Sequence, residues 1–213
     1  MNIHSVPPPL AAPARKTRPE PASGAKREVI LRAAIDVFAD RGYFNAQVAD
    51  VARAAGVAAG TVYLYFRSKD DLLVSIFERT MRDALARVRD AVADTTDPRE
   101  RLRRFARLHL GGLGRDRSLA VVFQVELRQS TKFMERFSST MLRDYLGLIR
   151  QAIEDGQRQK LFRSDLKPTV AAKMFFGVLD EMATNWILSR RRYSLEADAD
   201  AVVDLFINGA RAR

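Results

Sequence analysis

His109 is the only histidine beyond the first ten residues, and the chain has no cysteine. It is therefore the one side chain suited to act as a base near neutral pH. It sits in "RLRRFARLHL", on a stripe shared with Leu102, Phe105 and Leu108, where a hydrogen-bonded core histidine is the ordinary occupant. No nucleophile motif and no phosphate-cradling loop accompanies it. The lack of cysteine removes disulfides, thiolate zinc sites and thiol nucleophiles together. No catalytic, metal or cofactor site is expected, and an enzyme acting on small molecules is the rival reading. The chemistry left is binding, and chiefly of anions. With 36 Lys and Arg against 26 Asp and Glu, the net charge is +10. Nucleic acid, acidic lipid or a phosphorylated small molecule suits that charge, and a solvated basic surface is the plain alternative.

Two charged groupings stand out in the middle of the chain. In "RERLRRFARLHLGGLGRDR", Arg99, Arg101, Arg103, Arg104, Arg107, Arg115 and Arg117 crowd one helix and its following loop. A solvated face explains such a run, but guanidinium groups also suit phosphates, and Arg103 and Arg107 are the candidates. "LAVVFQVELRQS" is apolar nearly all round, yet it holds Gln124, Glu126 and Arg128. Either these pair internally between helices or they form a pocket wall. In the second case Phe123 and Leu127 line it, while Gln124 and Arg128, one turn apart, meet the polar part of a ligand. Trp186 is a further lining candidate that could equally fill the core. An amphiphile with phosphates at one end would satisfy both the basic mouth and the apolar interior.

The elements that must position these groups are helices. Six of the eight prolines fall in the first 21 residues, and residues 1–23 read as a disordered basic, Pro-rich arm. Its Arg15, Lys16 and Arg18 could enter a DNA minor groove or belong to a plain flexible tail. From Lys26 onward apolar residues recur at period 3.6 with no run of period 2, so the fold class is all-α with about nine helices. Beyond the fourth, helices are expected over 98–113, 118–130, 132–154, 168–191 and 195–210. No apolar run is long enough to span a membrane and the first ten residues do not form a secretory signal, so no membrane partner and a cytoplasmic location are expected.

Near the N-terminus two short helices are separated by Gly56, which permits a left-handed backbone at a tight turn, and Val57 can plug the gap between them. On the next helix Val62 and Phe66 face inward, while Ala59, Gly60, Tyr63 and Leu64 face outward. A helix beginning Ala58, Ala59, Gly60 can bring its backbone close to a DNA groove, its tyrosines can bond phosphate, and Lys69 adds charge. Packing of Tyr63 and Tyr65 against neighbouring helices is the alternative.

The stretch "ILRAAIDVFADRGYFNAQVADVARAAGVAAGTVYLYFRSKDDLL" closely resembles the N-terminal domain of the tetracycline-repressor (TetR) family. The pattern runs through Ala33, Phe38, Gly42, Ala52, Ala55, Gly56, Val57, Gly60, Thr61, Tyr63, Tyr65, Phe66, Ser68 and Lys69. Gln47 stands where the family often has Thr, and Ala58 where it often has Ser. The resemblance implies a helix-turn-helix domain over 24–84 that binds double-stranded DNA, followed by a ligand-binding and dimerisation domain over 85–213. It implies that Thr61, Tyr63, Tyr65 and Lys69 anchor phosphates. Gln47, Ala59, Gly60 and Leu64 would approach bases, with Val48 and Ala58 on the same DNA-binding surface, Ala58 at a position that in the family normally touches phosphate or caps the helix.

The C-terminal run "KMFFGVLDEMATNWILSRRRYSLEADADAVVDLFINGA" supplies two apolar helices suited to a four-helix bundle about a two-fold axis, with Phe175, Leu179, Met182, Val203 and Phe206 as expected contacts of a homodimer. Together with "LAVVFQVELRQS" it is similar to the subgroup that represses fatty-acid degradation genes and is released by long-chain acyl-CoA. That resemblance implies a transcriptional repressor with acyl-CoA as effector and no cofactor; a sensor of drugs or other hydrophobic small molecules controlling an efflux gene is the alternative.

Overall fold

In the computed structural model, residues 23–129, 140–191 and 193–212 are described. The arm, the residues around Ser130 and the first part of the helix expected at 132–154 lie outside them. Nine α-helices are present among the described residues: α1 (Ser23–Arg41), α2 (Val48–Ala55), α3 (Ala59–Tyr65), α4 (Lys69–Val92), α5 (Pro98–Gly114), α6 (Arg117–Gln124), α7 (Met141–Arg158), α8 (Pro168–Leu188) and α9 (Ala199–Ala210). Short 3-10 turns at Glu126–Gln129 and Leu195–Asp198 precede α7 and α9. None of the described helices is long and apolar enough to cross a membrane.

Local chemistry sets most of the helix ends. Gly42 and Gly56 both adopt positive φ, 76° and 67°, where a side chain would be strained. The Gly56 N–H bonds back to Ala52 and Arg53, so α2 stops and the chain turns sharply into α3. Ser68 caps α4 by accepting from the Asp71 N–H at 3.1 Å. Asp97 and Asp116 cap α5 and α6 in the same way. Pro98 and Pro168 stand in the first turns of their helices, where no N–H is needed.

Helices α1 to α3 close around Ile30, Leu31, Ala34, Phe38, Val51, Val62 and Phe66, all buried. α4 carries Leu72, Leu73, Ile76 and Phe77 into that core and Met81, Leu85 and Val88 into the next. α1 also packs on α6, and Phe77 meets Phe123 of α6 at 5.6 Å between ring centres, so the two halves share one continuous core. In the second core α5 packs on α4, α7 and α9, and α7 packs along α8. The structure departs from the periodicity at four ends. α6 stops at Gln124 and tightens into a 3-10 turn, α7 runs on to Arg158, α8 stops at Leu188, and 195–198 is 3-10 before α9 begins.

Candidate functional site

The helix-turn-helix presents its small and aromatic residues as the spacing predicts. Val62 and Phe66 are buried, whereas Tyr63 is 56% and Leu64 82% exposed. Gln47, Ala58, Ala59 and Gly60 are exposed; Val48, Thr61 and Tyr65 are half-buried. An exposed leucine flanked by a tyrosine on a seven-residue helix has no use in the monomer's own packing. Ala58 begins α3 in extended conformation with no side-chain acceptor for the following N–H groups.

Lys69 is placed differently from the expectation of a free phosphate-binding charge. Its ammonium donates to the carbonyls of Tyr43, Phe44 and Ala46 at 2.8, 3.1 and 2.9 Å and lies 4.6 Å from the centre of the Tyr43 ring. The turn between α1 and α2 leaves these carbonyls without helical partners, and an ammonium has three protons to offer. Lys69 thus ties the start of α4 to the turn before α2. A cation that sequence reasoning passed over is Arg67, exposed between α3 and α4 with no side-chain bond among the described residues.

Behind this module lies a cavity of about 310 Å³, within the range of small-molecule sites. Its walls are mostly apolar: Met81 and Ala84 from α4, Leu108 and Leu113 from α5, Phe123 from α6, Leu127 from the 3-10 turn and Phe176 from α8. One side is polar. Gln124 Nε2 donates to Asp180 Oδ1 at 2.9 Å, Arg128 Nη2 donates to Asp180 Oδ2 at 2.5 Å, and Thr184 donates to Gln124 Oε1 at 3.2 Å. The two readings of this segment therefore coincide, since Gln124 and Arg128 line the cavity and are also paired across to α8. His109 lines it as well, with Nδ1 3.2 Å from the Tyr145 hydroxyl and Nε2 buried without a hydrogen-bond partner. Burial pushes its pKa down to about 4, so the ring is neutral near pH 7.

Glu126, between the cavity-lining Gln124 and Leu127, points the other way. It is buried, and its Oε2 accepts the Tyr43 backbone N–H at 2.6 Å, across 83 residues of sequence. The same Tyr43 offers its carbonyl to Lys69 and its hydroxyl to Asp70. Burial is the main cause that raises the Tyr43 pKa, with the Asp70 carboxylate adding to it. A second strut runs from Arg32 on α1 to Asp116 at the start of α6. Within residues 124–128, Gln124, Leu127 and Arg128 thus line the cavity while Glu126 reaches the helix-turn-helix half.

Other expected positions lie elsewhere. Arg103 and Arg107 do not line the cavity. Arg103 bonds Asp204 at 2.8 Å, and Arg107 holds Asp200 through two bonds of 2.9 and 2.5 Å, both against α9. Leu108 and Gly112 are on the cavity side of α5; the arginines sit round the helix from them and are neutralised by α9. Trp186 is also outside the cavity, its indole N–H donating to the Tyr193 carbonyl at 3.0 Å and its ring stacked by Arg117. Of the expected dimer contacts, Phe175, Leu179 and Val203 are buried inside the protomer, where a second copy cannot reach them, and Met182 and Phe206 are half-buried. The apolar side chains that α8 and α9 leave exposed are Val170, Met174, Val178, Leu188 and Leu205.

Residues 77–209 match the family described as YsiA-like protein, C-terminal region, and residues 30–76 match bacterial regulatory proteins, tetR family. The chain is 33% identical over 180 residues to the fatty acid metabolism regulator protein of Bacillus subtilis (strain 168), covering 84% of this chain and 93% of that one. The structure of the fatty acid degradation regulator FadR from Bacillus halodurans superposes with a TM-score of 0.83 at 37% identity, covering 91% of this chain and all (100%) of that chain. FadR from Bacillus subtilis in complex with stearoyl-CoA gives a TM-score of 0.81 at 32% identity, covering 86% and 99%. An exposed α3 held by a glycine turn, a second helical core with its own cavity and these two family matches across 30–209 agree: the chain belongs to the tetR family of bacterial regulatory proteins.

Proposed function

We propose that the protein is a DNA-binding transcriptional repressor of fatty-acid degradation genes, working as a homodimer and released from its operator when the acyl chain of a long-chain acyl-CoA enters the cavity. The observation that carries this reading is the segment 124–128. Gln124, Leu127 and Arg128 line the cavity while Glu126 accepts the Tyr43 N–H at the foot of the helix-turn-helix. A ligand that moves the first three moves the fourth. The relatives named above for fatty-acid regulation, one of them in complex with stearoyl-CoA, support the ligand class. Apolar walls suit a hydrocarbon chain, because each methylene taken from water contributes about 0.8 kcal/mol. In this reading Tyr63, Tyr65 and Thr61 bind phosphates, with Arg67 supplying charge, and Leu64, Gly60 and Ala59 approach base edges by apolar contact.

The test is fluorescence anisotropy with a DNA site that the protein itself selects from a random library. Stearoyl-CoA is expected to release that DNA while CoA alone does not, and Tyr63→Ala is expected to weaken selected and unrelated DNA alike. Unchanged DNA affinity in saturating stearoyl-CoA would sink the acyl-CoA reading.

A further inference from the structure

A second cavity, of about 290 Å³, lies between the end of α4, the start of α5 and the second half of α7. Val88, Val92, Leu102, Phe105, Ile149 and Ala152 form its apolar floor. The ring of Phe105 backs onto that of Tyr145, 4.6 Å away between centres, and Tyr145 lines the first cavity. No described residue lines both cavities, and these two rings stand as a wall between them.

Arg89, Arg101 and Gln151 complete the lining, and among the described residues no carboxylate joins them. Arg101 is committed only in part. Its Nε donates to the Thr95 carbonyl at 2.8 Å and its Nη1 to Asp155 at 2.7 Å, while Nη2 has no partner among the described residues. Asp155 is buried and also accepts from Arg158, so one carboxylate serves two guanidinium groups. Arg89 and Gln151 are exposed, and their side chains bond nothing among the described residues. The negative end of α4 is near, but its Ala91 carbonyl accepts from Arg104 at 2.6 Å, which offsets it.

This lining selects a ligand class. Walls of buried valine, leucine and phenylalanine suit a hydrocarbon body. Two guanidinium groups with N–H donors to spare suit one anionic end, and a carboxylate matches the planar edge of an arginine. The space holds roughly ten non-hydrogen atoms, if each takes about the 30 Å³ of a water molecule. That is the size of an eight-carbon carboxylate and far short of an acyl-CoA. We propose that this cavity is a second ligand site, for a small amphipathic carboxylate, with Arg89 and the Nη2 edge of Arg101 on the anion and the hydrocarbon against Leu102 and Phe105. The assignment does not depend on what the first cavity takes. Val88 and Val92 belong to the helix whose Met81 and Ala84 line the first cavity, so an occupant bears on α4 from its far end.

Calorimetric titration of the full chain with octanoate, octanol and octylammonium reads the site directly. Octanoate is expected to bind with a Kd below about 1 mM, and the neutral and cationic probes at least about tenfold more weakly. Arg89→Glu is expected to weaken octanoate about tenfold and to leave octanol within about twofold. Gln151→Trp, at an exposed position on the rim, closes the cavity without touching the core. It should abolish octanoate binding while helicity and stearoyl-CoA affinity match wild type. Octanoate bound equally by wild type and both variants would sit elsewhere, and the proposal would be overturned. A Gln151→Trp variant that loses stearoyl-CoA and octanoate together would make this cavity a continuation of the first, and the separate site would fall.

Discussion

Lys69 and His109 are both polar groups placed where water does not reach freely, and each makes a stability effect that can be measured. The Lys69 ammonium closes three carbonyls of the turn between α1 and α2. Hydrogen bonds to a charged group contribute about 1.5–3 kcal/mol. Lys69→Ala is therefore expected to destabilise the protein by roughly that amount in urea unfolding. The slope of DNA affinity against salt should stay near the wild-type value, since Lys69 is already engaged; a slope lower by about one would return Lys69 to the phosphates. His109 behaves oppositely to a surface histidine. Around it are Tyr145 on α7 and Asp180 on α8, and burial outweighs the carboxylate and holds its pKa near about 4, below the ordinary 6.5. A depressed folded pKa means that the stabilisation is complete above pH 6.5 and is lost as pH falls towards 4. Between those limits wild type should lose about 2–3 kcal/mol more stability than His109→Phe. Parallel pH profiles of the two proteins would show that the ring titrates normally.

At the scale of elements, the helices legible in the sequence are those whose ends are written locally. Gly42, Gly56, Ser68 and Pro98 each stop or start a helix through their own backbone or side chain. The end of α6 is not written locally. Val125 continues the apolar run, and what accompanies the turn is Glu126 reaching the N–H of Tyr43 from 83 residues away. Arg103 and Arg107 were illegible for the same reason, because Asp204 and Asp200 lie 101 and 93 residues further on. The cavity segment was readable from Gln124 and Arg128 on an apolar helix, since such groups must find partners. For the expected dimer, composition pointed to α8 and α9 but did not give their outward face. α8 is apolar nearly all round, so its pattern does not separate Phe175 and Leu179, which are buried, from Met174 and Val178, which are 64% and 49% exposed. If two copies meet through this stripe, Met174→Asp or Val178→Asp buries an unpaired charge in the interface while leaving the protomer's core intact. Sedimentation should then give half the wild-type mass with helicity unchanged; a mass equal to wild type would move the interface off α8.

For the molecule as a whole, the DNA-facing half and the cavity are joined by α4, which serves both cores, and by two polar struts, Glu126 to Tyr43 and Asp116 to Arg32. Neither strut touches DNA in the proposed mode; each fixes the tilt of α1 to α3 against the ligand half. Two recognition helices of a dimer must stand about 34–36 Å apart to enter successive major grooves, so a small tilt at the cavity is enough to lose one half-site. In the proposed mode a ligand would release DNA only by the difference in its affinity for the two tilts. Linkage then makes the effect equal in both directions, typically about 5–150-fold. Saturating operator should weaken stearoyl-CoA binding by the factor by which saturating stearoyl-CoA weakens operator binding. Glu126→Ala tests the strut itself. Glu126 is not on the cavity wall, so ligand affinity without DNA should stay within about threefold of wild type, whereas the coupling factor should shrink towards one. A variant that keeps full coupling would leave the signal to α4 and to the Asp116–Arg32 pair, and Arg32→Ala would be the next link to cut.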